Sequence, residues 1–119
     1  MFARAARTGD TETLVQLYVS GAITPDSRTS FIGLHVAIMY GHMETVKYLL
    51  GKNIPVPRGS LTPLMSAASS GQMDILRLLL DRGASINDTN PNGDTALSLA
   101  RRSKQAAAIE MLLQNGAKE

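Results

Sequence analysis

With 119 residues, 44% of them hydrophobic, the chain is long and apolar enough to order itself and is expected to be one domain. Its formal net charge of +2, from 12 basic and 10 acidic residues, is too small to make nucleic acid or an anionic membrane the expected partner. The absence of cysteine excludes disulfides and thiolate ligands, and no apolar run approaches the roughly 20 residues that span a bilayer.

The chain opens on Met1-Phe2-Ala3-Arg4 with no signal-peptide pattern, so the cytoplasm is the default location, and export remains open if a leader has been removed. A first helix is expected from Phe2 to Gly9, a second from there to Gly21, twelve residues on. The same interval separates Gly41 from Asn53, Gly71 from Gly83 and Lys104 from Gly116. Successive first marks, Gly9, Gly41, Gly71 and Lys104, lie 32, 30 and 33 residues apart. A period near 33 announces a solenoid of stacked helix pairs, here with approximate units 1–26, 27–56, 57–89 and 90–119.

Within the third unit, Thr62-Pro63 precedes a short helix whose apolar face is Leu64, Ala67 and Ala68, proline suiting the first turn. The second helix carries Ile75, Leu76, Leu79 and Leu80 as a buried stripe, with Arg77 and Asp81 facing water. Acids recur near second-helix starts at Glu12, Glu44 and Asp74, where the helix dipole favours them. Gly21, Asn53, Gly83 and Gly116 are residue types that accept the left-handed conformation of a C-terminal cap. Leu17, Leu49, Leu79 and Leu112 recur as second-helix knobs, and Met43, Met73 and Met111 fall on packing positions beside them. Pro55 and Pro57 deny backbone donors to the connection between units two and three, which is expected to be shortened or irregular.

Leu61-Thr62-Pro63-Leu64-Met65-Ser66-Ala67-Ala68-Ser69-Ser70-Gly71 and Gly33-Leu34-His35-Val36-Ala37, supported by Gly41-His42 and Leu80-Asp81-Arg82-Gly83-Ala84, resemble the ankyrin repeat motif T-P-L-H-x-A-A-x-x-G and L-L-x-x-G-A over nearly the whole chain. The resemblance implies an all-α solenoid: an ankyrin repeat stack of four helix pairs with short β-hairpin or loop fingers. Unit one begins inside its first helix and looks like a cap. Unit four replaces apolar and glycine positions with Arg101-Arg102-Ser103-Lys104-Gln105, the polar face that a terminal repeat needs.

Catalytic, cofactor and metal sites are not expected. His35 and His42 are seven apart but lack the further ligands that close a coordination shell, and both occupy motif positions. Ser60, Ser66, Ser69 and Ser70 lack a nucleophile elbow or a placed base. Glu12, Glu44 and Asp74 read as helix-start acids rather than a catalytic pair. The Arg101-Arg102-Ser103-Lys104 run reads as a solvated end, and no aromatic interleaving makes a single-strand stacking platform.

What the resemblance implies instead is a concave protein-binding face on the fingers and the ends of the first helices. In this chain those positions are Arg28, Thr29, Phe31, Met39, Tyr40, Arg58, Leu61, Ser69, Ser70, Asn92, Asp94, Arg102 and Ser103. Phe31, Tyr40 and Leu61 are the expected anchors, the alternative for Phe31 and Leu61 being that they fold inward. The expected function is a non-catalytic, monomeric interaction module for another folded protein. Its preferred specific form is an inhibitor, immunity-type or masking protein of a partner enzyme; a scaffold subunit of a larger assembly is the alternative.

Overall fold

The structure is a computed structural model that describes residues 2–56 and 61–118. Among the described residues eight helices and no strand occur: α1 (Phe2–Thr8), α2 (Thr11–Val19), α3 (Arg28–Met39), α4 (Met43–Leu50), α5 (Pro63–Ser70), α6 (Met73–Asp81), α7 (Ala96–Arg102) and α8 (Ala106–Gln114). They form two compact units, Met1–Pro57 and Arg58–Glu119, each holding two helix pairs. Within each unit the main inter-repeat packing is first helix on first helix, α1 on α3 and α5 on α7.

All eight positions marked by the twelve-residue interval adopt positive φ. Gly9, Gly41, Gly71 and Lys104 lie between 57° and 77°, and Gly21, Asn53, Gly83 and Gly116 between 53° and 94°. The interval is therefore a backbone requirement written in sequence: each left-handed residue stops a helix that an L-residue in ordinary conformation would prolong. Lys104 departs in chemistry but keeps the geometry, with φ 57°. Lys104→Gly is expected to stabilise the chain by about 0.5–1 kcal/mol, because glycine removes the Cβ clash while loosening the unfolded chain; urea unfolding of the two proteins checks this.

The core is built as the repeat pattern requires. In α5, Thr62 Oγ1 accepts from Met65 N at 3.2 Å as the N-cap and Pro63 follows in the first turn, while Leu64, Ala67 and Ala68 are buried. In α6, Ile75, Leu76 and Leu79 are buried, Leu80 is half-buried, and Arg77 and Asp81 are exposed. Leu49, Leu79 and Leu112 are buried knobs, whereas Leu17 is half-buried and Leu14 fills the core of its pair. Met43, Met73 and Met111 are half-buried.

The connection before α7 takes loop form. Before α7, Asn90 N donates to Asp94 O at 3.1 Å and Gly93 N to Asn90 O at 2.9 Å, with Gly93 at φ 80°. Asn90 Oδ1 also accepts from the backbone N of Asn92 and of Asp94, each at 3.0 Å, closing the tip on itself.

The connection before α3 corrects the expected finger. The motif register puts the first-helix start at Gly33, yet α3 begins at Arg28, so the place of a finger is taken by an extra helical turn. Ser27 Oγ accepts from Ser30 N at 3.2 Å and caps this turn. Ser30, fully buried, receives the Tyr18 hydroxyl at 2.7 Å and donates to Thr24 O at 2.6 Å. The helix thus starts early because Ser27 satisfies the Ser30 amide in its first turn, while the Ser30 hydroxyl ties that turn to α2. Around this tie the rings of Phe2 and Tyr18 meet edge-on at 5.9 Å, and Lys52 Nζ lies 5.3 Å and 5.0 Å from the Tyr18 and Tyr48 ring centres.

Candidate protein-binding site

Within each unit the two repeats are clamped by the residue that follows the first-helix mark of the second repeat, His42 after Gly41 and Gln105 after Lys104. His42 Nε2 donates to the carbonyl of Arg7 at 2.6 Å, which fixes a proton on Nε2. Gln105 Nε2 donates to the carbonyl of Ser69 at 3.4 Å. Arg7 and Ser69 both stand two residues ahead of their glycine, so the two contacts are equivalent, one in each unit. A Cβ on Gly9 would lie 2.7 Å from His42 Nδ1, and one on Gly71 would lie 2.4 Å from Gln105 Oε1. Asp10, at the same place in the first pair, spends its carboxylate on its own helix: it accepts from Thr13 N at 3.1 Å and from Thr13 Oγ1 at 2.6 Å. These bonds hold its pKa below the ordinary value. His42 is thus engaged as a clamp, and His35 lies beside Phe31, ring centres 6.3 Å apart, with burial pushing its pKa down. Among the described residues no three His, Asp or Glu side chains converge on a common point.

The clamp ties the start of α4 to the end of α1, and α1 and α3, packed on each other, line an apolar cleft of about 360 Å³ bounded by Arg4, Arg7, Val36, Met39 and Tyr40. Val36, Met39 and Tyr40, with Ile32 one turn earlier, fall at the i, i+4, i+7, i+8 spacing of a single helix face. Ile32, Met39 and Tyr40 are 46%, 48% and 57% exposed, an unusual load of large apolar side chains on one face of a helix. The opposite face of α3 carries Leu34, Ala37 and Ile38 into the core. A larger, more polar depression of about 610 Å³ shares Arg4 and is otherwise lined by Ala5, Thr8, Asp10 and Thr13. It offers no large apolar anchor.

Met39, the last residue of α3, and Tyr40, its cap, are thus brought together at the cleft. Phe31 is not an exposed anchor: it is 9% exposed, because the extra turn of α3 carries it to the core face and puts Ile32, one residue on, toward solvent. Arg28 and Thr29 are exposed but lie in the first turn of α3 rather than on a finger. Arg28 borders a separate depression with Asp26, Ser27, Pro55 and Val56.

In the second unit, Leu61 is half-buried just ahead of α5. Ser69 and Ser70 occupy the last turn of α5, and Ser70 Oγ donates to Ser66 O at 2.6 Å. Asn92 is exposed at the loop tip, and Ser103 is exposed as the cap of α7. Asp94 and Arg102 meet each other, Nη2 to Oδ1 at 2.8 Å, anchoring the loop to α7. Arg58 lies outside the described residues. Ile32, Val36, Arg4 and Arg7 escaped the sequence reading. The stripe Ile32-Val36-Met39-Tyr40 is a helical periodicity that becomes visible once α3 is known to start at Arg28.

A repeat protein of helix pairs with an exposed apolar helix face, and with no converging metal-ligating cluster among its described residues, is the class that this geometry defines. The chain matches the family described as "Ankyrin repeats (3 copies)" over residues 2–90 and again over 34–119. It belongs to the ankyrin repeat family. It is similar to "Ankyrin repeat and KH domain-containing protein mask" of Drosophila melanogaster, 38% identical over 89 residues that cover 71% of this chain and 2% of that protein. A "Putative ankyrin repeat-containing protein" of Treponema pallidum is 36% identical over 88 residues, 71% of this chain and 30% of that one. "Glycerophosphocholine phosphodiesterase gde1" of Schizosaccharomyces pombe is 34% identical over 99 residues, 77% of this chain but 9% of that protein. The chain spans less than a third of the length of each of these curated relatives. Ankyrin repeats are in general non-catalytic protein-protein interaction modules, and no described helix is long and apolar enough to cross a membrane.

Proposed function

We propose that this chain is a non-catalytic binding module that holds a folded protein partner against the α1–α3 cleft. The observation that carries the reading is the exposed stripe Ile32-Val36-Met39-Tyr40 beside Arg4 and Arg7. Side chains of this kind stabilise a complex strongly when desolvated, and arginine and tyrosine are enriched among interface residues that dominate affinity. The His42 clamp and the capped α3 fix the face in advance, so docking orders few groups and loses little conformational entropy. Its effect on the partner would be to cover a surface, which is the physical basis for a masking or inhibitory role toward an enzyme. That finer role is tested by the partner's turnover with and without the chain.

Met39→Ala/Tyr40→Ala is expected to weaken a purified partner by at least about tenfold, since truncating two central anchors commonly removes more than about 1 kcal/mol each. Both side chains are exposed, so thermal unfolding should stay within about 2 °C of the parent. Unchanged affinity by calorimetry would remove the cleft from the interface. Size-exclusion chromatography with light scattering is expected to return a monomer; concentration-dependent self-association would favour an assembly subunit instead. Within the same proposal residues 1–119 act as one domain, checked by whether urea unfolds the chain in one transition or two.

A further inference from the structure

We infer that the α1–α3 cleft takes an acidic amphipathic segment of its partner, one that presents two carboxylates a helical turn apart beside an apolar anchor. This rests on the reading of the cleft as the protein-binding face and adds the chemistry of what enters it. Arg4 and Arg7 are three apart on α1, so their side chains emerge on one face about 5–6 Å apart at Cβ, and both border the cleft whose floor is Val36, Met39 and Tyr40. Both are exposed, and among the described residues neither takes part in an ion pair. The chain has acids available, yet Asp10 is engaged by Thr13, Glu44 by Lys47 at 3.8 Å, and Asp94 by Arg102.

Two guanidiniums beside an apolar floor are complementary to a segment that carries carboxylates and large apolar side chains together. Planar, weakly hydrated guanidinium is suited to bidentate carboxylate pairing at an interface. A nucleic acid is the weaker fit. Its backbone needs a run of cations and its bases need stacking rings, whereas this rim has two arginines and its floor one tyrosine among aliphatic groups.

The experiment uses the full 119-residue chain and a fluorescein-labelled, helix-forming peptide of about fourteen residues. The peptide has two glutamates four apart and leucine and phenylalanine on the adjoining face, and anisotropy reports binding. Replacing both glutamates by glutamine is expected to weaken binding about three- to tenfold, and raising NaCl from about 50 to 500 mM to weaken the glutamate peptide but not the glutamine one. Arg4→Glu/Arg7→Glu is expected to lose the glutamate peptide to the same degree and to gain a peptide with lysine in place of both glutamates. The melting temperature of that variant reports whether it is folded, and the gain of the lysine peptide cannot come from a misfolded chain.

Equal binding of glutamate and glutamine peptides, both lost in Met39→Ala/Tyr40→Ala, would overturn the acidic preference while leaving the cleft as the binding face. Binding of the glutamate peptide that survives Met39→Ala/Tyr40→Ala and is matched by an oligothymidylate of equal charge would overturn the proposal in favour of polyanion attraction. No binding of the glutamate peptide overturns it as well. The partner-affinity measurement on Met39→Ala/Tyr40→Ala judges the underlying reading separately.

Discussion

Gly9→Ala is expected to cost about 2 kcal/mol of stability, twice the cost of Gly21→Ala, although both glycines sit at nearly the same φ, 77° and 78°. An alanine in the left-handed region costs about 1–2 kcal/mol, offset by about 0.4–1 kcal/mol from a stiffer unfolded chain. That is the whole effect at Gly21, where a new Cβ meets nothing within 4 Å. At Gly9 the methyl would press on the His42 ring, 2.7 Å from Nδ1 and 3.0 Å from Cγ. To relieve it the ring must withdraw and surrender its 2.6 Å bond to the Arg7 carbonyl, a net loss of about 1 kcal/mol for a hydrogen bond of this kind. The drop in melting temperature should be on the order of 8 °C for Gly9→Ala. In a His42→Ala background the two alanine substitutions should become equal, because only the shared backbone cost remains. Equal effects in the parent chain would mean that the clamp contributes nothing.

Gly33→Ala is the second large effect, and its sign separates two principles. Gly33 lies inside α3 with no positive φ, so helix propensity alone would make alanine stabilising by about 1 kcal/mol. A Cβ there, however, would overlap the Phe2 ring, 2.6 Å from Cζ and 2.8 Å from Cδ1. Phe2 is buried and lies edge-on to Tyr18. Swinging it out returns about 2–3 kcal/mol of apolar burial to water, so the net expectation is destabilisation by about 1–2 kcal/mol. With Phe2→Ala already in place the sign should reverse, and Gly33→Ala should then stabilise the chain by up to about 1 kcal/mol. A stabilising Gly33→Ala in the parent would show that the ring yields at little cost.

These two glycines also mark where the sequence was legible and where it was not. The spacing of Gly9, Gly41, Gly71 and Lys104 was readable because a left-handed backbone restricts residue type, whatever surrounds it. Even Asn53 and Lys104, the two non-glycine members, obey it at φ 53° and 57°. Gly33 carried no such signal: its need comes from the ring of a residue 31 positions earlier, and no local pattern encodes that contact. The early start of α3 was obscured for another reason. A fixed repeat register assigns residues 28–31 to a finger, while Ser27 and Ser30 supply a cap of their own. Because successive helical residues are about 100° apart, this one difference exchanges the roles of Phe31 and Ile32 and moves the exposed face from one to the other. The clamps by His42 and Gln105 were half legible. The histidine stood out as a motif position, but that its ring bonds the backbone of the preceding repeat emerges only from packing.

Once the exposed face is traced through α3, surface apolarity in the first unit concentrates at Ile32, Met39 and Tyr40, while Val19, 80% exposed, stands at the end of α2. The two locations offer a direct contrast. A photo-crosslinking phenylalanine analogue placed at Tyr40 is expected to capture the protein partner, and the same group at Val19 to remain unreacted with it. Capture from Val19 with none from Tyr40 would contradict binding through the α1–α3 cleft.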